Sequence, residues 1–489
     1  MADRSLLVKI KDELGLAALS NAPRDTYIVL LTRTFRMFAY GSSTLILALY
    51  FSALGHSDTQ IGLFMTLTLV GDVLISLILT FAADALGRRR ILLLGSLLMA
   101  ASGAVFASTS SYWLMLFAAV VGVISPSGNE IGPFRAVEES TLAHLTPDTD
   151  RSDIFAWYVV VGTLGTSAGS LASGWTIQRL KDSGWEETDA YRCIFWMYAV
   201  IGLIKAGLTL LLSPRCEAQQ PEKRESANAN NEEETESFLR HDSSSTGAFP
   251  DPKPAQSKSK WKLAQISPES RKTLIKLCSL FSIDSLGSGM VPISMISYYI
   301  SKKFNIQQST LGTIISAASL MSSLGNIFAS SISKRIGFIN TMVFTHLPSA
   351  VFLTLLPAPH SLALTIIFLV ARASLASMDQ APRTAFLSAV VLPHERTAVM
   401  GVVNTVKTTA QSGGPIITGV LASGGNFGTA FVVAGLLKAG YDLGLLYIFS
   451  ETKVRGNADD QRSAARAAEG EVEVEEIEMQ TTLGERRLA

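Results

Sequence analysis

The chain has 489 residues, with 41 basic and 41 acidic side chains, a formal net charge of zero, 48% hydrophobic residues and only 17% charged ones. Soluble proteins carry about 25% charged residues, so a soluble enzyme is excluded, and the lack of a basic excess argues against a nucleic-acid partner. Cys193, Cys216 and Cys278 form no CxxC pair, and no nucleotide-binding loop or metal-ligand cluster occurs, so no disulfide framework, metal or cofactor is expected.

In chain order, residues 1–26 intersperse Arg4, Lys9, Lys11, Asp12 and Glu13 and lack the apolar core of a signal peptide. They are expected to form a cytoplasmic tail, in which Asp3-Arg4-Ser5-Leu6-Leu7 is similar to an acidic dileucine sorting signal. Apolar runs follow at 27–53, 59–82, 90–109, 111–134, 154–178 and 192–213, then at 273–300, 309–332, 339–356, 361–388, 397–422 and 428–449. Runs of about 20 residues can cross a ~30 Å hydrocarbon layer. Inside lipid a helix satisfies its own backbone, and these runs lack the alternation of barrel strands. The expected fold class is an all-α polytopic membrane protein with twelve transmembrane helices.

Residues 214–270 change composition completely, with Glu232-Glu233-Glu234 and Ser243-Ser244-Ser245 in a stretch rich in Glu, Ser, Asn, Lys and Pro. Such a segment cannot bury enough apolar area to offset its ordering entropy, so a disordered cytoplasmic linker is expected. It separates a six-helix bundle at 27–213 from a second at 271–450, and the Glu-rich residues 451–489 read as a cytoplasmic tail. Arg88, Arg89, Arg90, Arg151, Lys334, Arg335 and Arg396 fall in one set of short loops. By the excess of Lys and Arg on the cytoplasmic side, both termini are expected inside. Arg179, Lys181, Arg192, Lys302 and Lys303 dissent from that pattern.

The two bundles are related in sequence. Ile61-Gly62 matches Leu311-Gly312, Gly87 matches Gly337, Pro133 matches Pro382, Arg151 matches Arg396, and Gly169 and Gly174 match Gly414 and Gly419. The common order and nearly constant offset point to an internal repeat, the pattern many transporters show. Six plus six spans, a long central loop and related halves resemble the major facilitator superfamily. The loop Asp84-Ala85-Leu86-Gly87-Arg88-Arg89-Arg90 resembles that family's signature between its second and third spans, with Thr80 and Ala85 departing from the usual glycine and arginine. The resemblance is to an uncharacterised fungal and bacterial branch. It implies alternating access and assigns Asp84, Gly87 and Arg88 to a gate. Asp84 would sit at the N-terminus of span 11, where exposed amides favour negative charge, and Arg88 would reach Glu138 and Glu139.

Charge inside the membrane is costly, and each instance is a functional candidate. Arg33, Arg36, Asp72, Glu130, Arg135 and Lys205 lie in the first bundle, and Asp284, Arg372, Asp379, Arg383, Lys407, Lys438 and Asp442 in the second. Glu130 and Asp379 each stand three residues before a proline, followed by Arg135 and Arg383. These two acids are candidate proton carriers, and Asp379 and Arg383, four apart on one helical face, could equally neutralise one another. Asn404, Lys407 and Gln411 share one face of span 11 and form a candidate cavity wall. Lys438 and Asp442 read as an internal pair. Arg33 and Arg36 could face inward or snorkel to the headgroups.

The expected function is a non-enzymatic, monomeric secondary transporter for a small polar or anionic organic solute, driven by protons and embedded in membrane lipid. Efflux of a drug-like or secondary metabolite is the alternative within that class, and a non-transporting receptor or scaffold the alternative outside it. The plasma membrane is the default location, with vacuolar or other endomembranes open.

Overall fold

The computed structural model describes residues 16–122, 124, 133–147, 150–217, 268–391 and 396–449. Helices cover almost all of them. The chain runs through α1 (Leu16–Asn21), α2 (Arg24–Ala53), α3 (Asp58–Leu86), α4 (Arg88–Ser108), α5 (Tyr112–Gly122), α6 (Pro133–Leu145), α7 (Arg151–Asp182) and α8 (Glu187–Leu210). A 3-10 turn at Pro214–Cys216 follows. Beyond the linker come α9 (Pro268–Met290), α10 (Ile293–Phe304), α11 (Gln308–Ile336), α12 (Phe338–Leu355), α13 (Leu362–Ala376), α14 (Gln380–Val390), α15 (Arg396–Ser412), α16 (Gly414–Ser423) and α17 (Phe427–Phe449). Among the described residues six helices are long and apolar enough to cross a membrane, and α9 with α10 makes a seventh span bent by 42°. Trp175 and Leu203 project from them exposed, as do Trp113 and Phe117 from the shorter apolar α5, as lipid-facing side chains do.

Several expected spans are broken rather than continuous. Pro292 caps α10, Pro382 lies in the first turn of α14, and Pro415 lies in the first turn of α16. A proline has no N–H to leave orphaned at the start of a helix, so each break is placed where its proline is tolerated. The breaks put Asp379 at the junction of α13 and α14 and Gln411 at the end of α15.

By contacts the chain divides into two compact units, and the division does not follow the linker. The first holds Met1–Ala264, Val291–Leu320 and Ser412–Phe427; the second holds Gln265–Met290, Met321–Gln411 and Gly428–Ala489. Within the first unit α2 packs along α7 and α4 along α8, around a core that includes Val29, Ile91, Leu142, Ile154 and Tyr158. The second unit has its own core around Leu277, Phe281, Met342, Phe386 and Tyr441.

The first unit also carries a direct sign of the internal repeat. Gly62 on α3 meets Gly419 on α16, where a Cβ would stand 2.4 Å from the Pro415 carbonyl oxygen and 3.0 Å from the Gly419 Cα. Gly174 on α7 meets Gly312 on α11, with a Cβ 2.4 Å from the Gln308 oxygen and 2.9 Å from the Gly312 Cα. Gly62 is the sequence counterpart of Gly312, and Gly174 of Gly419, so each contact is the repeat image of the other. Both need glycine because backbone meets backbone.

Candidate functional site

Charge in the second unit converges from five helices. α9 supplies Asp284, α12 supplies His346, the α13–α14 junction supplies Asp379 and Arg383, α15 supplies Lys407, and α17 supplies Lys438, Tyr441 and Asp442. Arg383 is the hub. Its Nη1 donates to Asp284 Oδ2 at 3.0 Å and its Nη2 to the carboxylate of Asp379. The other oxygen of Asp284 accepts from Lys438 Nζ at 2.8 Å, and the same ammonium donates to Ser288 Oγ at 2.6 Å. His346 Nδ1 stands 2.9 Å from both oxygens of Asp442, with its Nε2 3.6 Å from Asp284 Oδ1. Asp284, Asp379, Asp442, His346 and Lys438 are all buried.

Among the described residues, one cation of this cluster is left over. Lys407 Nζ lies 5.7 Å from the Phe281 ring centroid, and no carboxylate among the described residues forms an ion pair with it. The Arg383 guanidinium sits over the same ring at 5.4 Å and over Tyr441 at 5.3 Å. Cations over aromatic faces gain from the ring quadrupole. Tyr441 is fully buried, and its hydroxyl has no hydrogen-bond partner among the described residues. A spare ammonium and an unsatisfied hydroxyl in one cluster are the donors a polar or anionic ligand would use.

The structure distributes the remaining expected residues differently. Gln411 is buried, with its backbone carbonyl pressed against Gly289 of α9, whereas Asn404 is exposed. Lys438 and Asp442 are not each other's partners: Lys438 pairs with Asp284 and Asp442 with His346. Glu130 and the side chain of Asp84 lie outside the described residues.

The first unit holds a second buried cluster, centred on Glu138. Arg36 Nη2 meets Glu138 Oε2 at 2.6 Å, Tyr158 donates to the same oxygen at 2.8 Å, and Lys205 Nζ lies 3.6 Å from Oε1. Arg33 faces inward as well, with Nε donating to the Tyr158 carbonyl at 2.8 Å and its guanidinium 3.8 Å above the Tyr158 ring. Glu138 therefore faces Arg36 and Lys205 rather than Arg88, and Glu139 pairs with Arg135 at 2.6 Å. The reason is helical geometry: neighbours at 138 and 139 point about 100° apart, one into the bundle and one out.

The first turn of α4 takes a carboxylate that the linker's composition concealed. Glu217 accepts from the backbone N–H of Arg88 at 2.7 Å and of Arg89 at 3.2 Å, using the exposed amides of the helix start. Gly87 has φ +87°, and a Cβ there would come within 2.9 Å of Glu217 Oε2. The adjoining corner is closed by Asp25, which accepts from Ser213 Oγ and Ser213 N. Burial, and then the Asp25 carboxylate, push the Cys216 thiol up to about 12, so it is a packing residue rather than a reactive one.

His346, Tyr441 and Ser288 were not singled out by sequence reasoning. A histidine in the middle of an otherwise apolar span was the available signal for the first of them.

A family model described as Major Facilitator Superfamily matches residues 29–283 and 277–472. The uncharacterized membrane protein YJR124C of Saccharomyces cerevisiae is 35% identical over 431 residues, covering 88% of this chain and 94% of its own length. Among solved structures, the nucleoside transporter NupG aligns with a TM-score of 0.65 at 13% identity, over 87% of this chain and all of its own. The xylose transporter XylE from E. coli aligns at 0.63 and 13% identity, over 89% of this chain and 99% of its own. The human organic anion transporter MFSD10 aligns at 0.54 and 16% identity, over 86% of this chain and all of its own. The chain belongs to the Major Facilitator Superfamily, with its twelve-helix, two-half fold, and is a multi-pass membrane transporter rather than an enzyme.

Proposed function

We propose that the chain is a proton-coupled secondary transporter that carries a small anionic organic solute by alternating access. The observation that carries this reading is the second-unit cluster, where Asp284, Asp379 and Asp442 already have basic partners, Lys407 over the Phe281 ring has no ion pair among the described residues, and the Tyr441 hydroxyl is unsatisfied. A solute carboxylate would supply the missing counter-charge, with Arg383 next to it as a fork-shaped donor. Burying a lone ammonium costs several kcal/mol, so such a site favours anions over cations by charge alone. The printed name of MFSD10, an organic anion transporter, is consistent with that class, while those of XylE and NupG are sugar and nucleoside transporters. The working arrangement is a monomer with both termini in the cytosol, most simply in the plasma membrane. Asp84, Gly87 and Arg88 remain the proposed gate elements. Asp379, Arg383 and Lys407, with Gln411 and Asn404 along the same span as Lys407, are the proposed solute-handling residues. Glu130 stays a proposed coupling residue of the first bundle.

Thermal unfolding of the purified protein against a metabolite panel sorted by charge tests the anion reading. A solute that binds only the folded state at a hundred times its Kd stabilises it by about 2.7 kcal/mol. Organic mono- and dicarboxylates are expected to raise the wild-type midpoint and to leave Lys407→Gln unmoved, with Lys407→Arg restoring part of the shift. Equal stabilisation of wild type and Lys407→Gln by cationic or lipophilic compounds would overturn the assignment.

A further inference from the structure

Six carboxylates among the described residues are less than a tenth exposed: Asp25, Asp72, Glu138, Asp284, Asp379 and Asp442. Five of them are answered. Asp25 accepts from Ser213, Glu138 pairs with Arg36 and Lys205, Asp284 with Arg383 and Lys438, Asp379 with Arg383, and Asp442 with His346. Asp72, in the middle of α3, is 2% exposed, and neither of its oxygens has a hydrogen-bond partner among the described residues.

Among the described residues, the elements packed around α3 offer it no counter-ion. On α2, Arg33 and Arg36 are engaged at Tyr158 and Glu138. On α5, Val120 lies against Gly71, directly beside Asp72 in the chain, and Tyr112 donates to the Gln60 carbonyl. On α6, Arg135 and Glu139 hold one another, with His144 in the last turn. The first turn of α4, with Arg88, Arg89 and Arg90, begins beyond about 21 Å of α3 from Asp72. On α3 itself Asp58 is taken by Tyr298 and Lys302, and α16 carries no titratable side chain. An ionised carboxylate with neither cation nor donor is among the most costly groups a protein interior can hold, so here it neutralises by keeping its proton.

Its position gives that proton a route. Asp72 lies six residues, about 9 Å, along α3 from Thr66. Thr66 Oγ1 accepts from the Ile416 N–H of α16 at 3.1 Å, next to the Gly62–Gly419 contact. The contact of α3 with α16 thus lies within about two helical turns of Asp72.

We propose that Asp72 carries the coupled proton, held as a neutral acid while α3 and α16 are in contact and released to water when they part. On release the carboxyl O–H bond breaks and the proton passes to a water molecule, leaving the carboxylate; loading is the reverse. The acids of the two charge clusters are already held by basic partners and bind rather than carry. The proposal rests on the proton-coupled reading above, but its test addresses Asp72 directly, so its failure leaves wild-type solute flux untouched, whereas failure of the transport reading would appear in that flux.

Infrared spectroscopy of the full chain in lipid reads the C=O stretch of a protonated carboxylic acid apart from carboxylates and amides. Wild type is expected to show a band that is lost in Asp72→Asn and in Asp72→Leu, shifts in deuterium oxide, and bleaches reversibly as the pH is raised. The apolar reagent dicyclohexylcarbodiimide, which attacks protonated carboxyls, is expected to label Asp72 ahead of Asp379, Asp284 and Glu138 in peptide mass spectra. This second measurement needs no variant to fold. Coincident wild-type and Asp72→Asn spectra, a band that neither pH nor deuterium moves, or labelling at Asp379 with Asp72 unmodified would overturn the proposal.

Discussion

Arg383→Ala is expected to destabilise the protein by about 3–5 kcal/mol, the range for removing one partner of a buried ion pair. Arg383 is mostly buried and joins Asp284 to Asp379 across α9 and α14. Its two partners are not equally exposed to the loss. Asp284 keeps Lys438 at 2.8 Å, whereas Asp379 has no other basic partner among the described residues. Most of the cost therefore falls on Asp379, left as a buried charge. Adding Asp379→Asn to Arg383→Ala should recover a large part of the lost stability, although each substitution alone is harmful, because groups in one network couple rather than add. Unfolding midpoints of the two single variants and the double variant close the cycle. Additive losses would mean that the pair does not form.

Glu138→Gln is expected to be comparably severe, again about 3–5 kcal/mol, while Glu139→Gln next to it should cost no more than ~1 kcal/mol. Gln keeps the size of Glu and an oxygen for the Tyr158 hydroxyl, so the first substitution isolates the charge that Arg36 and Lys205 face inside the unit. The Arg135–Glu139 pair is far less buried, at 45% and 32% side-chain exposure. Adding Lys205→Met to Glu138→Gln should restore part of the loss. Equal effects at 138 and 139 would mean that Glu138 belongs to a surface gate after all.

These contrasts mark where the sequence stops being informative. The spans are legible because lipid fixes both length and hydropathy. The repeat is legible because Gly62, Gly174, Gly312 and Gly419 are needed where backbones touch, and their spacing survives in the sequence. Asp379 and Arg383 are legible as a pair because four residues bring them onto one helical face. That same rule misleads at Lys438 and Asp442, whose nearer partners are Asp284 and His346 on other helices, 154 and 96 residues away in the chain. No local pattern encodes such pairings; they arise when helices pack. Glu217 is hidden for a different reason: it stands at the edge of a charged linker, and only the 3-10 turn at Pro214–Cys216 carries it back to the start of α4. Asp72 stands out in sequence as a charge within a span, but its lack of a partner among the described residues is a property of the packed protein alone.

The most direct test of the central claim is flux through the purified full-length chain in proteoliposomes. Solutes that stabilise the protein would be presented under an imposed pH gradient and again after a protonophore collapses it. The account predicts accumulation of an organic anion above protein-free vesicles, lost on adding the protonophore and lost in Lys407→Gln. If no stabilising solute crossed faster than in empty vesicles, the chain would be a binding protein that kept a transporter's fold. If flux were present but indifferent to the gradient, proton coupling would be contradicted.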